Sequence, residues 1–151
     1  MIKISRLSDY AVVILTSLAE QEGGALLTAN ALSERTRLPE PTVAKVLKRL
    51  AKGDLIKSIR GASGGYKLTQ SPSRINVADI TQAMEGPVSL TACVEGSHEV
   101  CDFRKHCSMN GRWDGVNMAI RIALESITLA DMVPARATQT FLKKENIHER
   151  I

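Results

Sequence analysis

Three things are scarce in this chain, and each scarcity narrows what it can be. Aromatic side chains make up only 3% of its 151 residues, so its core must be mostly aliphatic. Long apolar runs are missing: none approaches the roughly 18 residues that a membrane span needs. Cysteine is absent from the first 92 residues and again after residue 107. The opening MIKISRLSDYAVVILTSLAE is not expected to be a signal peptide. Asp9 and Tyr10 separate its basic start from its apolar stretch, and no small-residue cleavage site follows. A secreted chain would pair its cysteines, and three is an odd number. The expectation is a cytoplasmic protein with no membrane partner. At 44% apolar residues it can still bury a core, as one domain or as a small domain with an appended element.

The cysteines that are present stand together. Cys93, Cys101 and Cys107 read C-VEGSHEV-C-DFRKH-C, with gaps of seven and five residues. Thiolates held close together bind soft metal centres, and this polar segment would bring three of them near one another. The spacing lacks the C-x-x-C knuckle of zinc ribbons and thioredoxin-like redox motifs. An iron–sulfur cluster is the favoured occupant; a structural zinc or a redox thiol set are the rivals.

Charge is placed unevenly. Residues 1–75 carry twelve basic and six acidic side chains, and residues 76–151 carry eight and ten. Within 37–67 alone the numbers are eight and two. A basic half joined to an acidic half suits an anion-binding module attached to something else; the plainer reading is a solvated, Lys-rich surface.

The order of elements sharpens this. Residues 5–22 carry apolar side chains at helical spacing, through Tyr10, Ile14 and Leu18, and Gly23-Gly24 ends the run. Thr28 can cap a short second helix, ANALSERTR. After the turn around Pro39 and Pro41 comes a third, TVAKVLKRLAKG. Its Val43, Leu47 and Leu50 share one face, with Val46 beside them, and Pro41, Lys45, Lys48 and Lys52 lie opposite. Two strand-like runs, Leu55–Arg60 and Tyr66–Thr69, flank the turn GASGG and read as a hairpin. The predicted fold is mainly α with a small β-hairpin wing: a winged helix-turn-helix over 1–75 whose third helix enters the major groove of DNA.

Beyond it, Asn76 can cap a helix over VADITQAMEG, which Gly86-Pro87 closes, and the cysteine loop occupies 88–110. Trp113, Val116, Ile120, Ala123, Ile127 and Ala130 then step as a heptad seam. So short a seam could be an intramolecular face; beside a basic DNA-binding half it predicts a long dimerisation helix, completing a second region over 76–133. Thr128-Leu129-Ala130-Asp131 reads as a capping box, a place for that helix to break. Residues 134–151 read as a polar tail.

Across these segments the chain resembles the bacterial winged-helix regulators that respond to iron–sulfur clusters or nitric oxide, the family of IscR and NsrR. The residues that carry the likeness are SRLSDYAVVIL, LSERTRLPEPTVAKVLKRLAKGDLI, IRGASGGYKL, VADITQAMEG, the three cysteines and ITLADM. Within the family, LSDYAVVIL, RGASGGY and EGPVSLTAC look most like the branch that regulates the SUF iron–sulfur assembly operon.

The resemblance implies a homodimer that binds pseudo-palindromic double-stranded promoter DNA and uses a cluster, 2Fe–2S or 4Fe–4S, as its sensor. It implies Cys93, Cys101 and Cys107 as ligands. IscR has a His three residues after the last cysteine, whereas Asn110 stands there in this chain. In the nitric-oxide branch an Asp from the partner's first helix completes the site, and Asp9 occupies the matching place. The plainer role for Asp9 is a helix-start acid that favours the dipole. His98 and His106 are alternative ligands, or simply loop residues.

DNA contact is expected from Pro41, Ala44, Lys45 and Lys48 on the third helix, with Thr42 near a phosphate. From the wing, Arg60 is expected in the minor groove, with Ser63, Gly64 and Gly65 beside it. IscR carries Glu at the position of Ala44, so the preferred operator should differ. The expected function is a cluster-sensing repressor of the SUF operon. The alternatives are a nitric-oxide- or redox-responsive repressor of other genes, a zinc-stabilised DNA-binding protein or a cluster carrier. An enzyme with a small-molecule substrate is not expected: it would want a C-x-x-C or a Cys–His pair in a cleft, and would not need a basic helix-turn-helix.

Overall fold

The computed structural model describes residues 3–134. Among them the chain runs α1 (Arg6–Ala19), α2 (Ala29–Thr36), α3 (Glu40–Lys52), β1 (Ile56–Ile59), β2 (Gly65–Leu68), α4 (Val77–Glu85), α5 (Asp114–Glu125) and α6 (Leu129–Met132). Single 3-10 turns lie at Glu22–Gly24 and Pro72–Arg74. The protein is thus mostly helical with one hairpin, as its sequence predicts.

Local chemistry sets these boundaries. Ser5 caps α1, its Oγ accepting from the Ser8 amide at 3.2 Å, and Ala11, Ile14, Leu15 and Leu18 bury one stripe of the helix. α1 stops at Ala19, short of the expected Glu22: the Gln21 amide donates to the Leu18 carbonyl three residues back at 3.3 Å, and Gly23 and Gly24 take up positive φ in the turn that follows. Thr28 caps α2 by accepting from the Ala31 amide at 3.1 Å. α3 begins at Glu40 with Pro41 in its first turn, where a missing N–H costs nothing.

The wing is a two-stranded antiparallel pair in which Ile56 faces Leu68 and Ile59 faces Gly65. Leu27, between α1 and α2, pins it through bonds with Tyr66 of 3.1 and 2.8 Å. A Cβ on Gly65 would stand 2.8 Å from the Leu27 carbonyl, so glycine is what lets the wing lie this close.

Ala11, Ile14, Leu15, Leu32, Val43, Val46, Leu47, Leu50 and Ile56 form an aliphatic core, with Tyr10 and Tyr66 packed at its edge. Ile75, Ile80, Met84 and Leu129 belong to the same cluster, so packing continues across residue 75. The backbone continues it too: Leu129 donates to the Ile75 carbonyl at 2.7 Å, and Val77 to that of Ile127 at 2.9 Å.

The helical stretch expected over 113–130 is divided. α5 ends at Glu125, and Thr128 opens α6 with a full capping box to Asp131. Residues 86–113 contain turns but no helix or strand. Among the described residues no helix is long and apolar enough to cross a membrane. The expected polar tail lies outside the described residues from 135 onward.

Candidate functional site

α3 owes its orientation to its buried face. With Val43, Val46, Leu47 and Leu50 in the core, Pro41, Ala44, Lys45 and Lys48 are exposed and Thr42 is half-buried. The turn before α3 is fixed by side chains: Ser33 Oγ donates to the Leu38 carbonyl and Thr36 Oγ1 to that of Leu32, both at 2.6 Å. In the wing Arg60 and Ser63 are exposed, and Gly64 and Gly65 are half-buried. Sequence reasoning passed over Arg37. It is exposed in the left-handed conformation, φ 57°, between α2 and α3, three residues before the N-terminus of α3. A cation beside a helix N-terminus is chemistry suited to phosphate. Its only signal in the sequence was a basic residue in the helix-turn-helix turn.

The cysteine segment is built differently. Cys93 and Cys101 are half-buried and Cys107 is exposed; all three thiols are free. Cys93 Sγ lies 3.2 Å from Thr91 Oγ1, and buried Val94 anchors this end of the loop. His98, His106 and Asn110 are exposed, as is Asp9 in the first turn of α1. Among the described residues no three His, Cys, Asp or Glu side chains gather into a metal-holding group. The structure therefore supplies donors of the right kind, three accessible thiols on one turn-rich loop, but within a single chain it does not bring them together.

Two sets of bonds tie this loop to the helices. Asn117 of α5, itself buried, accepts from the Leu90 amide and donates to the Val88 carbonyl, both at 3.0 Å. Asp114 accepts from the Glu95 amide at 3.1 Å. At the other end, Glu85 closes α4 immediately before the loop. Its Oε1 accepts from Ser8 Oγ and from the Ser5 amide. Burial pushes the Glu85 carboxyl up, but these bonds and the nearby Arg49 charge outweigh it and hold the group below its ordinary value. Arg49 of α3 donates to the Met84 carbonyl at 2.5 Å. None of these long-range links has a signature in the sequence.

A helix-turn-helix with an exposed basic recognition face and a pinned wing is DNA-binding architecture. The family model described as Rrf2, iron-dependent transcriptional regulator, matches residues 4–135.

The chain belongs to the Rrf2 family.

Rrf2 members are DNA-binding transcriptional regulators, not enzymes. Among relatives, CymR of Bacillus subtilis is 29% identical over 130 residues, covering 86% of this chain and 88% of CymR. The solved structure of that protein, described as the global cysteine regulator, superposes with a TM-score of 0.67 over 88% of this chain and 97% of its own. The solved IscR of T. potens is 32% identical, with a TM-score of 0.65 and 91% of both chains covered. NsrR of B. subtilis is 24% identical over 131 residues, 87% of this chain and 90% of NsrR.

Proposed function

We propose that this Rrf2 regulator is a cytoplasmic, homodimeric, iron–sulfur-cluster-sensing repressor of iron–sulfur assembly genes, the SUF operon among them. The observation that carries this reading is the placement of the cysteines. All three lie on a loop whose ends are bonded to α1, α4 and α5, beside a complete DNA-reading body. Cys93, Cys101 and Cys107 would hold the cluster, 2Fe–2S or 4Fe–4S, with Asp9 of the partner subunit as the fourth ligand. When bound, the cluster supplies a redox- and oxygen-sensitive centre whose loss is the signal.

The protein's own residues supply the rest. Pro41, Thr42, Ala44, Lys45 and Lys48 meet the major groove, and Arg60, Ser63, Gly64 and Gly65 meet the backbone and minor groove of a pseudo-palindromic promoter. The exposed Val116 and Ile122 of α5, with Trp113 at its N-cap, supply the dimer face, since two reading heads need two copies.

A nitric-oxide-responsive version of the same site is favoured by two observations: Asn110 replaces the IscR imidazole, and Asp9 stands exposed on α1. Anaerobic purification followed by iron and sulfide counts, visible absorption and operator binding of holo and apo forms tests the reading. A coloured protein with matched iron and sulfide, and unequal affinities, is expected. A colourless protein carrying stoichiometric zinc overturns it. Exposure of the holo form to nitric oxide then separates the two signals.

A further inference from the structure

Among the four basic residues of α3, Lys45, Lys48, Arg49 and Lys52, Arg49 stands outside the set that the sequence assigns to DNA. The structure gives it another partner. Its Nη1 reaches the Met84 carbonyl in the last turn of α4. That carbonyl is one of the end groups a helix leaves without an internal partner, and a guanidinium there also complements the helix dipole. The next residue, Glu85, is tied to α1 through the Ser5 amide and Ser8 Oγ. The residue after that, Gly86, opens the segment leading to Cys93. A second contact reinforces the first. Gly53, which caps α3, lies so close to Ala83 that a Cβ on it would stand 2.6 Å from the Ala83 Cβ. Residues 83–85 thus touch the recognition helix, the first helix and the root of the cysteine loop within three consecutive positions.

We propose that this last turn of α4 is the joint through which the state of the cysteine loop reaches the recognition helix, with Arg49 and Glu85 as its positioning residues. The proposal rests on the cluster-sensing reading. The loop is held by α4 at its root, by Asn117 slightly further on, and by Asp114 at the Glu95 amide. Any rearrangement that gathers its thiols must pull against these ties. At the root, the pull falls on the Met84–Glu85 peptide. From there the Arg49 bond leads to α3, and the Ser5 and Ser8 bonds lead to the N-terminal turn of α1, next to Asp9. A contiguous set of bonds linking the two sites is the physical form that such a coupling takes.

The test is the ratio of operator affinities of holo and apo protein, measured for wild type, Arg49→Met, Arg49→Lys and Glu85→Gln. For wild type a ratio of about tenfold or more is expected, within the usual range of allosteric coupling. Arg49→Met keeps the stem but removes the donors. It should bring the ratio to within about twofold of one, with cluster content and thermal melting little changed. Arg49→Lys should restore part of it, and Glu85→Gln, which keeps one acceptor, should fall between. A wild-type ratio near one overturns the cluster-sensing reading and the joint with it. A large wild-type ratio that Arg49→Met leaves intact overturns the joint alone. Equal loss of affinity in both forms, with the ratio kept, shows Arg49 to be a phosphate contact instead. If Arg49→Met does not fold, Ser8→Ala carries the same test from the α1 side.

Discussion

The two halves of this molecule treat the same kind of side chain in opposite ways. In the winged-helix body Ile14, Leu15, Leu32 and Leu50 are fully buried. In the loop and α5, Val100 is 88% exposed, Phe103 77% and Ile122 56%. The body is finished within one chain: its helices bury their stripes, its wing is pinned, and its reading face points outward. The other region leaves apolar surface open and its thiols apart. Large exposed apolar residues grouped on one element mark a surface that something else covers. The proposed partner helix and cluster are what would complete it. A sensor is naturally assembled this way, with a rigid reader and a part whose structure depends on what is bound.

The contrast is best broken first where it is widest. Leu47→Ala, in the body, should cost about 2–5 kcal/mol of stability, whereas Phe103→Ala should stay within about 0.5 kcal/mol. Chemical denaturation of the two variants measures both. Equal costs would show that the loop is packed as firmly as the body. Next, Lys45→Ala should weaken operator binding by roughly 1–3 kcal/mol and flatten preference at one base position. Titration across operator variants at fixed salt reads this, and a uniform loss with a shallower salt dependence would assign Lys45 to phosphate instead.

A smaller effect is expected at the latch. Asn117→Ala leaves the Leu90 amide and the Val88 carbonyl without their partner and should cost roughly 1–2 kcal/mol. Amide exchange at Leu90 should quicken about tenfold while amides of α3 keep their protection. The smallest concerns acid. The Glu85 carboxyl is held below its ordinary value, so its bonds stabilise the fold fully above the unfolded value of 4.5 and are lost as pH falls through the lower folded value. Glu85→Gln should therefore unfold with a shallower dependence on pH below about 4.5. Acid titration followed by circular dichroism checks it.

What could be read from the sequence follows the same division. Periodicity located α1 to α4 because burial in the body is decided by helix faces, and Val43, Val46, Leu47 and Leu50 repeat at helical spacing. The Thr128 box was legible because capping is local chemistry. The Ser63-Gly64-Gly65 turn was legible because few other residues fit such close backbone. Asn117, Glu85 and Arg49 were not. Asn117 reaches residues 27 and 29 positions away, and Glu85 reaches Ser8 across 77. A polar bond of that span leaves no period to detect. The cysteines lie between these cases: their number and grouping name a chemistry, but among the described residues they do not gather into one metal-holding group.

Gly53 and Ala83 carry a consequence that belongs to genetics. The φ of Gly53 is −82°, which any residue adopts, so Gly53→Ala would meet no backbone strain. Its harm would be purely one of room, a single methyl wedged between two helices. Such a lesion is correctable from the other side. In a selection for restored transcriptional regulation starting from Gly53→Ala, the expected second-site suppressor is Ala83→Gly, which takes away the opposing methyl at a helix cost of about 1 kcal/mol. Of two changes 30 residues apart, Gly53→Ala would then be tolerable only in the company of Ala83→Gly.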